Sequence, residues 1–158
     1  TYAAGFAAAN LTWSRLPQRL HRSVPPYGLI ILGAAEAALS VTVRPGWSYA
    51  IAGPLLLAAG VGHGAGFGAL VPLLTARIRP ASIPTLSGLI TTVTQLAIVV
   101  GIATLGGLYQ AIAHPGHSAT FGHALAAVTV TLAIATAGAA VLALPLTVSR
   151  RRHHRAEA

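Results

Sequence analysis

One carboxylate stands in the middle of an apolar run. Glu36 lies within GLIILGAAEAALSVTV, and the only other acid of the chain is Glu157, near the C-terminus. At the centre of a membrane helix an acid costs about 2.5–3.5 kcal/mol on insertion-based scales, so it faces a cavity or a partner rather than lipid. There it can take and release a proton or recognise a cation. A purely structural use is a helix–helix hydrogen bond, to His63, Gln95 or a threonine; a third is a tolerated position near the interface. His63 is the second titratable group inside an apolar stretch. Imidazole ordinarily titrates near pH 6.5, so His63 could belong to a proton relay, though a neutral, hydrogen-bonded packing role is the more common use of such a histidine. Thr91, Thr92, Thr94 and Gln95 cluster further on. Thr91 and Gln95 share a helix face at i, i+4, a polar stripe that would line a substrate path or bond to another helix.

Around His63 the sequence reads GVGHGAGFGALVP, from Gly60 to Pro72. Gly60, Gly64 and Gly68 recur every fourth residue, stack on one face and let a neighbouring helix approach closely. Pro72 withdraws a backbone donor and favours a kink near that helix's end. A phosphate-cradling loop is excluded, because no strand precedes the glycines and no Lys-Ser/Thr follows them. His114, His117 and His123 lack a neighbouring acid or cysteine and are separated by a Pro-Gly pair, which argues against a metal site. No cofactor is expected. One Glu and one His at membrane depth, with no Cys and no Asp, leave little for an intramembrane enzyme to work with.

These groups need elements that hold them in lipid. The chain has 158 residues, 54% of them hydrophobic and only 8% charged, so it cannot build the water-facing surface of a soluble domain. All ten basic residues are arginine, and nine fall in three blocks: Arg15, Arg19 and Arg22; Arg77 and Arg79; Arg150, Arg151, Arg152 and Arg155. The stretches between blocks are long enough to cross a hydrocarbon core of about 30 Å twice. Placing all three blocks in the cytoplasm leaves Arg44 alone outside, as the positive-inside rule requires. The net charge of +8 therefore marks topology and contact with anionic lipid rather than nucleic acid.

The expected architecture is all-α and integral to the membrane, because a lipid-exposed backbone must satisfy its own hydrogen bonds and no period-two alternation suggests a barrel. Residues 1–12 read as a truncated helix running inward. Pro17, Pro25 and Pro26 interrupt the loop that follows. Four full spans are expected at about 27–43, 48–76, 86–113 and 123–148, with a basic cytoplasmic tail at 149–158. Arg44-Pro45-Gly46 forms an external turn flanked by the interfacial anchors Trp47 and Tyr49, and the loop 114–122, without Lys or Arg, is external. The absence of methionine and the start within an apolar run lead us to expect the C-terminal piece of a longer chain.

GVGHGAGFGALVP, the basic loop after it and LSGLITTVTQLAIVVGIATLGGLY (Leu86 to Tyr109) together resemble the C-terminal end of a major facilitator superfamily transporter. The likeness is to the fourteen-span drug–proton antiporter branch of actinobacterial type. The Arg15–Arg22 loop looks like a degenerate copy of the family's basic loop, without its acidic residue and glycine. The resemblance implies the last five of six helices of a C-terminal half-bundle in a multi-pass plasma-membrane protein with a cytoplasmic C-terminus. It also implies proton-coupled export of a small amphipathic molecule by alternating access, with the N-terminal half as the missing partner. On that reading Glu36 and His63 are the proton-coupling or cation-recognising candidates, a role resting on the physical argument alone. Thr91 and Gln95 line the path, and Gly60, Gly64, Gly68 and Pro72 serve packing and kinking. The alternative is a small oligomeric membrane protein of structural or regulatory role.

Overall fold

A computed structural model describes residues 1–21, 23–42, 49–75, 78–113 and 118–148. The described residues form six α-helices: α1 (Tyr2–Thr12), α2 (Gln18–His21), α3 (Val24–Thr42), α4 (Tyr49–Thr75), α5 (Ile83–Ile112) and α6 (Ser118–Val148). No strand occurs among the described residues. Among the described residues four helices are long and apolar enough to cross a membrane: α3, α4, α5 and α6, with mean hydropathies of 1.5, 1.5, 1.9 and 2.1. The 19 residues of α3 rise about 28 Å, close to the thickness of a hydrocarbon core.

The boundaries differ from expectation at three helix starts. Pro25 and Pro26 do not interrupt helix; they lie in the first turn of α3, and Pro84 lies in the first turn of α5. The first four N–H groups of a helix have no acceptor inside it, so proline costs nothing there. Helix α6 begins at Ser118, so Phe121 and Gly122, expected in the loop, are helical. Pro115 is the last helix breaker before it. Helix α4 runs unbroken through Pro54 and Pro72. The expected turn at Arg44-Pro45-Gly46, Trp47, the side chain of Tyr49, Arg77 and the tail 149–158 lie outside the described residues.

The five longer helices stand in a row, α1–α4–α3–α6–α5, each packed chiefly against its neighbours in that order. Glycine sets the spacing on both sides of α4. A Cβ on Gly60 would strike the backbone of Tyr2 and Phe6, one on Gly64 the backbone of Phe6 and the side chain of Ala9, and one on Gly68 the Asn10 side chain. Both series ascend together, so α1 and α4 run parallel. On the opposite face a Cβ on Gly62 would lie 2.5 Å from Leu32 N and 2.7 Å from Gly28 O. Gly66 meets Leu29. Here one series rises as the other falls, so α3 runs antiparallel to α4, the alternation that successive crossings require. Helix α4 thus carries two glycine seams, of which only the Gly60–Gly64–Gly68 seam was expected.

Candidate functional site

Helix α3 buries Gly28, Ala35, Glu36 and Leu39, one stripe at helical spacing. Glu36 is therefore inward by register, and only 8% of its surface is exposed. A buried carboxylate needs a donor. Thr136 of α6 supplies it, its Oγ1 donating to Glu36 Oε2 at 2.9 Å. Gly33, one turn earlier on α3, faces the Thr136 methyl group, and a Cβ there would lie at an ordinary contact distance of 3.6 Å. Thr129, a more deeply buried threonine of α6, turns its hydroxyl back on its own helix instead, donating to Leu125 O and Ala126 O, both at 3.0 Å. Of the partners open to Glu36 from sequence, a threonine is the one present. Neither His63 nor Gln95 bonds to it.

His63 of α4 has its own surroundings. Its Nδ1 shares a hydrogen bond with the Tyr2 hydroxyl of α1. Three aromatic rings stand edge-on to the imidazole, Phe6, Tyr2 and Phe67, with centroids 5.2, 6.1 and 6.2 Å away. Four helices thus bring a carboxylate, a phenol, an imidazole and a threonine hydroxyl to one region of the row. These are groups that hold and exchange protons, paired across helices as Tyr2 with His63 and Thr136 with Glu36.

The other candidates lie elsewhere. Thr91 and Gln95 share an exposed face of α5, and the Thr91 hydroxyl donates to Ser87 O of its own helix at 2.9 Å. Since α5 packs chiefly on α6, the structure does not bring Thr91 or Gln95 to Glu36 or His63. Gly60, Gly64 and Gly68 seat α1 against α4, and Pro72 is exposed near the end of α4. His123 is exposed in the first turns of α6, and His114 and His117 lie outside the described residues. Among the described residues no three His, Cys, Asp or Glu side chains gather as metal ligands would. Sequence reasoning missed Tyr2 and Thr136. Thr136 is 100 residues from Glu36, and nothing local in TLAIATAGAA distinguishes it from Thr129 or Thr131.

No protein-family model, curated protein sequence or solved structure matches the chain.

Proposed function

We propose that the chain is part of a secondary transporter of the major facilitator type, exporting a small amphipathic molecule in exchange for protons. The observation that carries this reading is Glu36, a buried carboxylate within a helix long and apolar enough to span a membrane. Intramembrane acids mark ion pathways and proton relays, and Glu36 has a neutral hydrogen-bond donor rather than a cationic partner. Tyr2 and His63, bonded to each other, place further proton-holding groups on α1 and α4. The glycine seams of α4 permit the close helix contacts along which a bundle would rock, and Thr91 and Gln95 offer a polar face to the half-bundle that would complete the cavity. The C-terminus is cytoplasmic on this reading, and the membrane is the plasma membrane.

The test is Glu36→Gln in the native protein, with efflux followed in inverted vesicles under an imposed proton gradient. Loss of gradient-driven efflux with substrate binding retained supports the coupling role; unchanged efflux removes it. A second reading, a small oligomer, draws on α5, which buries none of its residues in the chain itself. A C-terminal tag at the native locus separates the two. A product about three times the length of this chain fits a two-bundle transporter, whereas one of 16.0 kDa fits the oligomer.

A further inference from the structure

The connection between α1 and α3 has a depth that the helix seams fix. Ala9 lies against Gly64 and Asn10 against Gly68, and the two helices run parallel, so Trp13 falls alongside about the last two turns of α4. Leu29 lies against Gly66 on the antiparallel side, which brings Val24, the start of α3, to the same level. The apolar span of α4 ends at Pro72. The connection therefore leaves and re-enters the bundle at the edge of the hydrocarbon, and its first turn, Trp13–Arg15, packs on α4. Its local structure suits that depth. Leu16 is extended, with φ −69° and ψ 149°, as a residue before proline prefers. That takes its carbonyl out of any helix ladder, and His21 Nε2 donates to it at 2.8 Å while the His21 ring stands edge-on to Trp13, centroids 5.4 Å apart. The N–H groups of Leu16, Leu20 and Ser23 donate to Trp13 O, Pro17 O and Leu20 O at 3.1, 2.8 and 2.8 Å. Much of the polar backbone is thus turned in on the segment itself. The side chains of Leu16 and Leu20 stay open, 40% and 48% exposed, beside the exposed Arg15.

We infer that residues 13–21 form a foot lying in the membrane–water interface, with Leu16 and Leu20 inserted among the lipid acyl chains and Arg15 at the headgroups. A loop that rose into water would leave the two leucines exposed at about 25 cal/mol per Å² of apolar surface, whereas at this depth the same surface meets hydrocarbon. A non-helical segment is tolerated at the edge of the hydrocarbon only where its own bonds satisfy the backbone, which the His21–Leu16 bond and the successive turns provide. Trp13 fits the same plane, because an indole settles at headgroup level, and Arg15 can lay its stem along apolar surface with its guanidinium in the polar layer. The occupant is lipid rather than another protein because the segment opens at the rim of the bundle, at the depth where the bilayer itself ends. The inference requires that the chain lie in a bilayer and is independent of transport.

The chain contains no cysteine, so single spin labels report one position each. The full chain carrying Arg15→Cys, Leu16→Cys, Leu20→Cys or Ile134→Cys is labelled and reconstituted in palmitoyl-oleoyl phosphatidylcholine vesicles. Collisions with oxygen, which concentrates in hydrocarbon, are compared with collisions with a water-soluble nickel chelate. Ile134, 69% exposed on α6, is the reference for a lipid-facing position. Labels at 16 and 20 are expected to favour oxygen, as the label at 134 does, and the label at 15 to shift toward nickel. If the label at 134 favours oxygen while those at 16 and 20 favour nickel, the loop stands in water and the inference falls. If those two meet neither reagent, protein covers them and it falls equally. A label at 134 that favours nickel overturns the membrane reading itself, and the foot with it. Should the labelled variants fail to fold, Trp13 is read alone in Trp47→Phe by quenching with brominated phosphatidylcholines. Stronger quenching by bromines near the ester end of the acyl chain than by bromines near its methyl end is expected, and no quenching by either overturns the inference.

Discussion

Helices α4 and α5 have much the same composition on paper, long, apolar and rich in glycine, yet they sit at opposite extremes of the packing. In α4 every glycine from Gly60 to Gly68 has another helix against it, and a Cβ at most of them would meet backbone atoms or the close-lying Asn10 amide. In α5, Gly88, Gly101, Gly106 and Gly107 face open space, and no residue of the helix is buried. A glycine in a membrane helix is thus a capacity for close approach; whether it is used depends on what stands opposite. For α4 the partners Gly5 and Gly28 are themselves glycines, so that backbone lies on backbone and dispersion acts over many atoms. The difference also sorts the polar residues. His63 lies on the packed helix and Glu36 on α3 beside it, and both have partners from other helices, whereas the Thr91 hydroxyl on α5 turns back to its own backbone.

The contrast is broken most severely by filling the α3–α4 seam. Gly62→Leu would drive a side chain into Leu32 N and Gly28 O, and we expect a loss of about 3 kcal/mol in reversible unfolding from micelles. Stability equal to wild type would mean that α3 and α4 do not pack through this seam. Next in size is Thr136→Val, which removes the donor to a buried carboxylate. A loss of about 1.5 kcal/mol is expected, toward the upper end for hydrogen bonds between membrane helices. A double-mutant cycle with Glu36→Leu, which cannot accept the bond, should recover most of it as coupling, and additive losses would dissolve the pair.

Tyr2→Phe removes the bond to His63 at a partly exposed position, for which about 0.6 kcal/mol is expected by the same unfolding assay. A larger loss would raise the Tyr2–His63 pair to the rank of the Glu36–Thr136 pair. The smallest effect is reserved for Gly101→Leu on α5, expected to change stability by less than about 0.5 kcal/mol because nothing lies within reach. If Gly101→Leu cost as much as Gly62→Leu, α5 would have to be covered in the native protein, and the comparison would then locate the surface where a further half-bundle or a second copy docks.

Much of the candidate site was legible in residue type and little of it in partnership. Glu36 and His63 announced themselves as titratable groups in apolar runs, and the Gly60–Gly64–Gly68 face was readable from its spacing. The Gly62–Gly66 face was in the same string, but it gains meaning only once Gly28 and Leu32 lie across from it. Boundaries failed where proline was read as a breaker, at Pro25 and Pro26, because first-turn geometry tolerates what the helix interior does not.

Composition and spacing by themselves determined that this chain forms long apolar helices, where those helices run to within a few residues, and which one carries a carboxylate. The reason is that transfer of backbone and side chains into lipid is a local, additive cost, summed along each segment. Only the tertiary structure decided that α4 stands between α1 and α3, that Thr136 rather than His63 or Gln95 meets Glu36, and that α5 is left exposed. Between apolar helices no hydrophobic difference favours one neighbour over another, so order and partners follow from shape and from single hydrogen bonds between residues far apart in sequence.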